Sequence, residues 1–70
     1  MQNMVSQLRK KNHITQGNLA EALGVSRQTV SAIENLHYAP TLRLAFKISV
    51  FFNLPIEQIF IFTHKSTKKN

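Results

Sequence analysis

The sequence contains no cysteine, so it can form neither disulfide bonds nor metal sites built on thiolates. It also has no apolar run close to the roughly 20 residues that a membrane-spanning helix needs, and no signal-peptide pattern opens it. These absences predict a cytoplasmic protein that has no membrane partner.

Groups that commonly carry catalysis are also scarce. The acidic residues are Glu21, Glu34 and Glu57, and the histidines are His13, His37 and His64. No serine, cysteine or paired carboxylate is placed to form a catalytic triad or dyad with them. The histidines also lack the i, i+4 spacing of two metal ligands on one helix. The sequence therefore predicts that the protein is not an enzyme and binds no metal or cofactor.

The scarcity of acidic residues leaves the chain strongly basic. Nine lysine and arginine residues face three acidic ones, which gives a formal charge of +6 on only 70 residues. A positive field of this kind favours a polyanionic partner, either nucleic acid or an anionic membrane surface. Three of the lysines lie in the tail 63–70, which we expect to be frayed and solvated. That tail lacks the interleaved apolar face of a membrane-binding helix, so nucleic acid is favoured.

Residues 15–34 carry, in order, the signals of a helix-turn-helix. Thr15 can cap a helix whose leucines recur at i and i+4 on one face. Gly24 follows the last of them, at a position where a left-handed residue ends a helix at low cost. Ser26 can then cap a second helix whose apolar residues share one side. This succession of caps, helices and glycine within about twenty residues predicts the motif.

The outward face of the second of these helices carries side chains suited to reading DNA. Arg27 and Gln28 lie in its first turn, while Val30 and Ile33 point inward. An arginine can bind guanine through two hydrogen bonds, a glutamine can bind adenine, and Ala32 can contact a thymine methyl group. The alternative is that these polar residues only meet water, as most polar helix faces do. The preceding turn and the basic charge favour DNA.

Three further helices are predicted on either side of this motif. The first spans residues 4–11 with Asn3 as a possible cap, the fourth spans residues 42–52 after a cap at Thr41, and the fifth begins at Pro55. The fourth has a broad apolar face and is the natural central packing element. That face consists of Leu44, Ala45, Ile48, Phe51 and Phe52, with Leu42 and Phe46 beside it.

Apolar residues continue past the fifth helix. Ile61 and Phe62 follow the face that Ile56, Ile59 and Phe60 would bury. One interpretation is a dimer interface that contains Ile59, Ile61 and Phe62, since a short domain seldom exposes such residues together. Another is that they fold into the core of the monomer. The alternation in IFIFT also fits a short terminal strand, so helix and strand both stay open for residues 59–64.

Taken together, several motifs resemble one family of DNA-binding proteins. They are ITQ (14–16), LA (19–20), LGVSRQTVSAIEN (23–35), YAPTL (38–42) and LPIEQIF (54–60). The chain resembles the Cro and phage-repressor class of helix-turn-helix regulators, also called the xenobiotic-response-element type, and in particular its short stand-alone members. The resemblance implies an all-α five-helix bundle of the lambda-repressor-like type that acts as a homodimer on a two-fold operator. Some short relatives add a small sheet at the chain ends.

The resemblance also implies roles for individual residues. The base-reading positions of the recognition helix correspond to Arg27, Gln28, Ser31 and Ala32. Contacts to the DNA backbone correspond to Gln16, Asn35 and Arg43. Beyond the resemblance, we expect Lys47 to join them. Arg9 and Glu34 look like an internal ion pair between the first and third helices, which makes Glu34 a structural residue rather than a catalytic acid.

A few positions depart from the family pattern. Gly17 replaces a frequent glutamate and lowers helix propensity by about 1 kcal/mol relative to alanine. Asn18 replaces the glutamate that would complete a capping box with Thr15. Leu36 stands where glycine is common, and because a left-handed turn is costly for leucine, we expect the loop to take another path. Leu54 stands where a serine or threonine cap is frequent.

The sequence thus predicts a DNA-binding domain over residues 1–62, with the helix-turn-helix at 15–34 and a basic tail at 63–70. We expect a sequence-specific, homodimeric repressor of transcription that binds double-stranded DNA. The alternative is an antitoxin or anti-repressor-like module whose main role is to bind a partner protein. In that case the apolar residues Ile59–Phe62 would be the docking site.

Overall fold

The computed structural model describes residues 2–61, which form five helices and a two-stranded sheet. The elements in chain order are β1 (Gln2–Asn3), α1 (Val5–Lys11), α2 (Gln16–Leu23), α3 (Arg27–Glu34), α4 (Leu42–Phe52), α5 (Ile56–Ile59) and β2 (Phe60–Ile61). This arrangement confirms the predicted five-helix fold with a short strand near its end.

The two strands join the beginning and the end of the described chain. They pair in antiparallel register, with Gln2 opposite Ile61 and Asn3 opposite Phe60. The prediction that Phe60 continues the helical face of α5 is therefore wrong, because the backbone becomes extended at that residue. Phe62 and the tail 63–70 lie outside the described residues, so the prediction of a solvated tail stays a prediction.

The side chains that the sequence predicts as helix caps lie at the starts of the helices and bond to their first turns. The hydroxyl groups of Thr15, Ser26 and Thr41 each accept a hydrogen bond from a backbone N–H group in the first turn of the helix that follows. Asn3 acts on α1 in a similar way, since its Oδ1 atom accepts from the N–H group of Val5 at 3.1 Å. Each bond satisfies a donor that the helix itself leaves free.

A left-handed residue follows each of the first four helices. These residues are His13 (φ 58°), Gly24 (φ 75°), Leu36 (φ 63°) and Asn53 (φ 57°). The expectation that Leu36 avoids this conformation is wrong. The N–H groups of Leu36 and His37 donate to the carbonyls of Ile33 and Ala32, at 3.1 and 2.8 Å, and this pair of bonds closes the end of α3 in the Schellman pattern.

The core lies between the helices and is entirely hydrophobic within residues 2–61. Its buried residues are Val5, Leu19, Ala20, Leu23, Val30, Ile33, Leu44, Ala45, Ile48, Ile59 and Phe60. α4 is central as predicted, but only part of its apolar face is buried: Phe51 is 39% exposed, Phe46 55% and Leu42 70%. No helix in the described part of the chain is long and apolar enough to cross a membrane.

Candidate nucleic-acid interface

The helix-turn-helix consists of α2, α3 and the short turn between them. Gly24 takes the left-handed conformation, and the N–H group of Val25 donates to the carbonyl of Ala20 at 3.0 Å. This closure directs the chain to Ser26, whose hydroxyl caps α3. The turn thus sets where α3 begins relative to α2.

One side of α3 is anchored in the core and the other faces outward. Val30 and Ile33 are each 1% exposed, whereas Arg27 and Gln28 are exposed in the first turn of the helix. The inner pair therefore holds the helix in place, and the outer pair projects from its N-terminal end. A helix in this position can present its first turn to the floor of a major groove.

The other residues expected at the DNA lie further along the same helix. Ser31 and Ala32 are half-buried, and Asn35 is exposed just after the helix end. The Nδ2 atom of Asn35 donates to the hydroxyl of Ser31 at 3.3 Å. Because an amide has two N–H groups, this bond leaves Asn35 a donor for a phosphate.

The side chain of Arg27, at the start of α3, reaches the first turn of α2. The Cδ atom of Arg27 is 3.9 Å from the point where a Cβ atom on Gly17 would stand. The side chain of Arg27 therefore passes over the first turn of α2, which begins at Gln16. Helix N-termini carry free N–H groups and partial positive charge, so this region attracts phosphate.

A network centred on Glu34 joins the first three helices. The Nε and Nη2 atoms of Arg9 donate to the two carboxylate oxygens of Glu34, at 2.7 and 3.1 Å. The Nε2 atom of Gln16 donates to the same carboxylate at 3.0 Å, and the Nη1 atom of Arg9 donates to the carbonyl of Ile14. Arg9 and Glu34 therefore form the expected ion pair. Gln16, expected at the DNA backbone, is also part of the network.

The network is shielded from water, and it changes the acidity of Glu34. The side chains of Arg9 and Glu34 are only 12% and 7% exposed. Burial alone would raise the pKa of Glu34, but hydrogen bonds from Arg9 and Gln16 and the charges of Arg9 and Lys10 outweigh it, so the pKa is lowered. The hydrogen bond to Glu34 in turn raises the pKa of Arg9. Glu34 is thus held as a carboxylate that supports the fold.

Arg43 and Lys47 lie four residues apart on α4, near the motif. Both are exposed, and both line a shallow groove with Val25 and Thr29, at the start of α3. The Nζ atom of Lys47 donates to the carbonyl of Leu23 at 3.3 Å. A cation there complements the negative end of the α2 dipole. Lys47 thus supports the helix-turn-helix in addition to any contact with DNA.

Two of the residues predicted for a dimer interface, Ile59 and Ile61, differ in burial. Ile59 is fully buried in the core of the monomer, so its inclusion in that interface is corrected. Ile61 is 42% exposed and remains available, and Phe62 lies outside the described residues. Ile59 is the last residue of α5 and lies on its buried side, whereas Ile61 lies in β2, after the backbone becomes extended at Phe60.

Sequence reasoning missed two contacts of this surface. The bond between Gln16 and Glu34 joins residues 18 positions apart, and the bond from Lys47 to the carbonyl of Leu23 joins residues 24 positions apart. Each polar side chain is visible in the sequence, but its partner is decided by how α2 packs against α3 and α4. No spacing rule within one helix could have found these pairs.

The comparisons with known proteins agree with this geometry. The profile of the Helix-turn-helix family HTH_3 matches residues 5–59. An uncharacterized HTH-type transcriptional regulator of Methanocaldococcus jannaschii is 52% identical over 62 residues, which cover 89% of this chain and 94% of the relative. The regulator YgzD of Bacillus subtilis is 45% identical over 60 residues, covering 86% and 91%.

A phage protein is a more distant relative. The ImmF control region 10 kDa protein of Bacillus phage phi105 is 36% identical over 53 residues, which cover 76% of this chain and 59% of that protein. The match to the family covers the whole helix-turn-helix and the helices that support it. The chain therefore belongs to the Cro/CI-type helix-turn-helix family of DNA-binding transcriptional regulators.

Proposed function

We propose that the protein is a homodimeric repressor that reads a two-fold operator by placing α3 in the major groove. The observation that carries this proposal is the first turn of α3, where Arg27 and Gln28 project outward while Val30 and Ile33 fix the helix in the core. The two recognition helices of a dimer would then lie about one helical turn, roughly 34 Å, apart on the duplex.

The proposal divides the polar residues by role. Bases are read by Arg27 and Gln28, with Ser31 and Ala32 behind them. Phosphates are contacted by Gln16, Asn35, Arg43 and Lys47, which surround the recognition helix and fix its register. The formal charge of +6 supports both groups of contacts, since it raises affinity for any duplex.

Dimerisation and repression belong to the proposal as well. The proposed dimer interface contains Ile61 and Phe62, and Ile61 is 42% exposed. Repression requires only that a dimer cover a promoter. We also propose a cytoplasmic location and a role without catalysis, as expected for a regulator that acts by binding DNA.

Selection of binding sites from a random duplex library at near-physiological salt tests the proposal. We expect enrichment of a two-fold repeat whose half-sites lie about one turn apart. Enrichment of a single asymmetric half-site would support sequence-specific DNA binding but refute the dimer. Binding that is only salt-sensitive, with no enriched sequence, would refute specific recognition.

Matched variants test the division of roles on the selected operator. Gln28→Ala should lose about 1–3 kcal/mol on the operator and relax the preference at one base step. Arg43→Ala should weaken cognate and random DNA alike and reduce the slope of log affinity against log salt by about 0.9. Lys11→Ala, which removes the same charge from the exposed end of α1, is the control. Equal behaviour of the first two variants on both kinds of DNA would contradict the assignment.

A further inference from the structure

The outer side of α4 carries an apolar stripe that the fold leaves uncovered. Leu42, Phe46 and Val50 recur every fourth residue and are 70%, 55% and 79% exposed. At 1.5 Å per residue the stripe is about 12 Å long. Phe51 adds a fourth exposed apolar side chain beside it. An exposed cluster of this kind on a small soluble domain marks an interaction surface.

A groove runs between this stripe and the C-terminal end of α2. Its volume is about 530 Å³, and its lining consists of Ala22, Leu23, Arg43, Phe46, Lys47, Val50 and Phe51. Apolar side chains make up most of the lining. The two charged residues in it are both basic, and within residues 2–61 no acidic residue takes part.

The charges argue against a second copy of the chain in this groove. Two copies that met face to face here would each bring Arg43 and Lys47 to the same apolar contact. Like charges that meet across an interface cost several kcal/mol. Within residues 2–61, neither copy would offer an acidic residue in the groove lining to neutralise them. The dimer interface of the proposed function is therefore expected elsewhere.

The shape argues for an elongated partner rather than a small molecule. A small-molecule pocket encloses about 70–90% of its ligand, whereas Phe46 and Val50 project into solvent along one side of this groove. A helix laid into a groove instead places apolar side chains at i, i+4 and i+7 against such a stripe. Acidic residues on the edge of that helix would face Arg43 and Lys47.

The groove also borders the surface assigned to DNA. Arg43 and Lys47 line it together with Phe46, and the same two residues line the shallow groove that reaches Thr29 and Val25 at the start of α3. A partner that pairs with these two cations on one side competes with phosphates for them on the other. Binding at α4 and binding of DNA are thereby opposed.

We propose that the groove along α4 binds an acidic amphipathic helix of a partner protein, which takes Arg43 and Lys47 from the DNA and so weakens operator binding. The direct binding part of this proposal stands on the groove alone. The part that concerns DNA rests on the proposed function.

A pair of synthetic peptides tests the direct binding. Each has about 15 residues, or about four helical turns, with leucines at i, i+4 and i+7; one has glutamates beside the leucines and the other has lysines in their place. Fluorescence anisotropy without DNA, at about 0.15 M salt, measures binding to the full chain. We expect the acidic peptide to bind about tenfold or more tightly than the basic one.

Variants locate the binding on α4. Phe46→Gln should weaken the acidic peptide about tenfold, and Val50→Gln, at a more exposed position, gives a second test if the first variant unfolds. Leu36→Asn is the matched control, because Leu36 is as exposed as Phe46 and lies outside the groove. Equal affinity of the two peptides, absence of binding, or insensitivity to both groove variants would overturn the proposal.

Two further measurements separate this proposal from its rivals. The acidic peptide should release labelled duplex DNA from the protein, and the basic peptide should not; binding of the acidic peptide without release would overturn the opposition to DNA.

Sedimentation velocity of Val50→Gln should match that of the natural chain, since a change from dimer to monomer would assign the groove to a second copy. Failure of the operator selection alone would refute the proposed function and leave direct peptide binding intact.

Discussion

Replacement of Glu34 by glutamine should destabilise the protein far more than the loss of an ordinary surface charge. The carboxylate accepts two hydrogen bonds from Arg9 and one from Gln16, and it is 7% exposed. Glutamine keeps the shape but removes the charge and turns an N–H group toward Arg9. The guanidinium, itself 12% exposed, would then be left without its counterion.

The shielding of the pair sets the size of the effect. An exposed ion pair contributes only about 0–1 kcal/mol, whereas removal of one partner from a shielded pair costs about 3–5 kcal/mol. A domain of 70 residues has a total stability of about 4–10 kcal/mol. We therefore expect Glu34→Gln to lower the melting temperature by at least about 12 °C, at roughly 4–8 °C per kcal/mol.

The pH dependence supplies an independent readout. The pKa of Glu34 is lowered from its ordinary value of 4.5, so the carboxylate stabilises the fold fully above that pH. This stabilisation is lost as the pH falls below 4.5 through the folded-state pKa. The natural chain should lose this stability in acid, and Glu34→Gln should lose less there because it has no carboxylate to protonate at that position.

Urea unfolding at pH 7 and in acid, followed by circular dichroism, measures both effects. Glu21→Gln is the matched control, since Glu21 is exposed in the middle of α2 and should change stability by no more than about 0.5 kcal/mol. If Glu34→Gln cost no more than this control at pH 7, the argument that the network is shielded and stabilising would be refuted.

Five further variants, at four positions, test the backbone and the core by thermal unfolding. Leu36→Gly should stabilise the chain by about 1 kcal/mol by relieving a left-handed leucine, while Leu36→Ala should not; equal effects would contradict strain. Gly17→Ala should also stabilise, by up to about 1 kcal/mol, because a Cβ atom there meets only ordinary contacts, whereas Gly24→Ala should destabilise at φ 75°. Ile59→Ala should cost about 2–5 kcal/mol, and a cost below about 0.5 kcal/mol would place Ile59 on the surface instead.

The sequence predicted best what depends on near neighbours. The caps at Thr15, Ser26 and Thr41 need only a hydroxyl group and the next helical turn, and all three form as expected. Gly24 ends α2 because glycine, which has no Cβ atom, adopts the left-handed conformation at little cost. Leu36 is the exception, since the hydrogen bonds that close α3 hold it left-handed despite its side chain.

The burial of individual apolar residues was harder to predict. Phe51 was expected in the core and is 39% exposed, while Ile59, which one interpretation placed in a dimer interface, is fully buried. α4 has apolar residues around much of its circumference, so its period cannot tell which side meets α2 and α5. At Phe60 the chain changes from helix to strand, and a helical period carried past that point assigns later residues to the wrong side.

The residues of the candidate site were predicted mainly through family resemblance, and the structure adds how they are held. Arg27 and Gln28 follow from their place in the motif, but the bond from Gln16 to Glu34 depends on packing between two helices. The apolar stripe of α4 was visible as separate residues. Only the fold shows that this stripe is exposed while Leu44, Ala45 and Ile48 of the same helix are buried.

Stability and recognition share Glu34 in this small domain. Within residues 2–61 the hydrophobic core has eleven buried residues, and a chain of 70 residues buries a smaller fraction of its surface than larger domains do. The charged network adds polar contacts among α1, α2 and α3 to those of the core. Because Glu34 holds Gln16 at the start of α2, the same carboxylate orients a proposed phosphate contact beside Arg27. Pre-organisation of that contact would reduce the entropic cost of DNA binding, so in the proposed function the stability of the fold and the placement of the DNA-binding surface depend on the same hydrogen bonds.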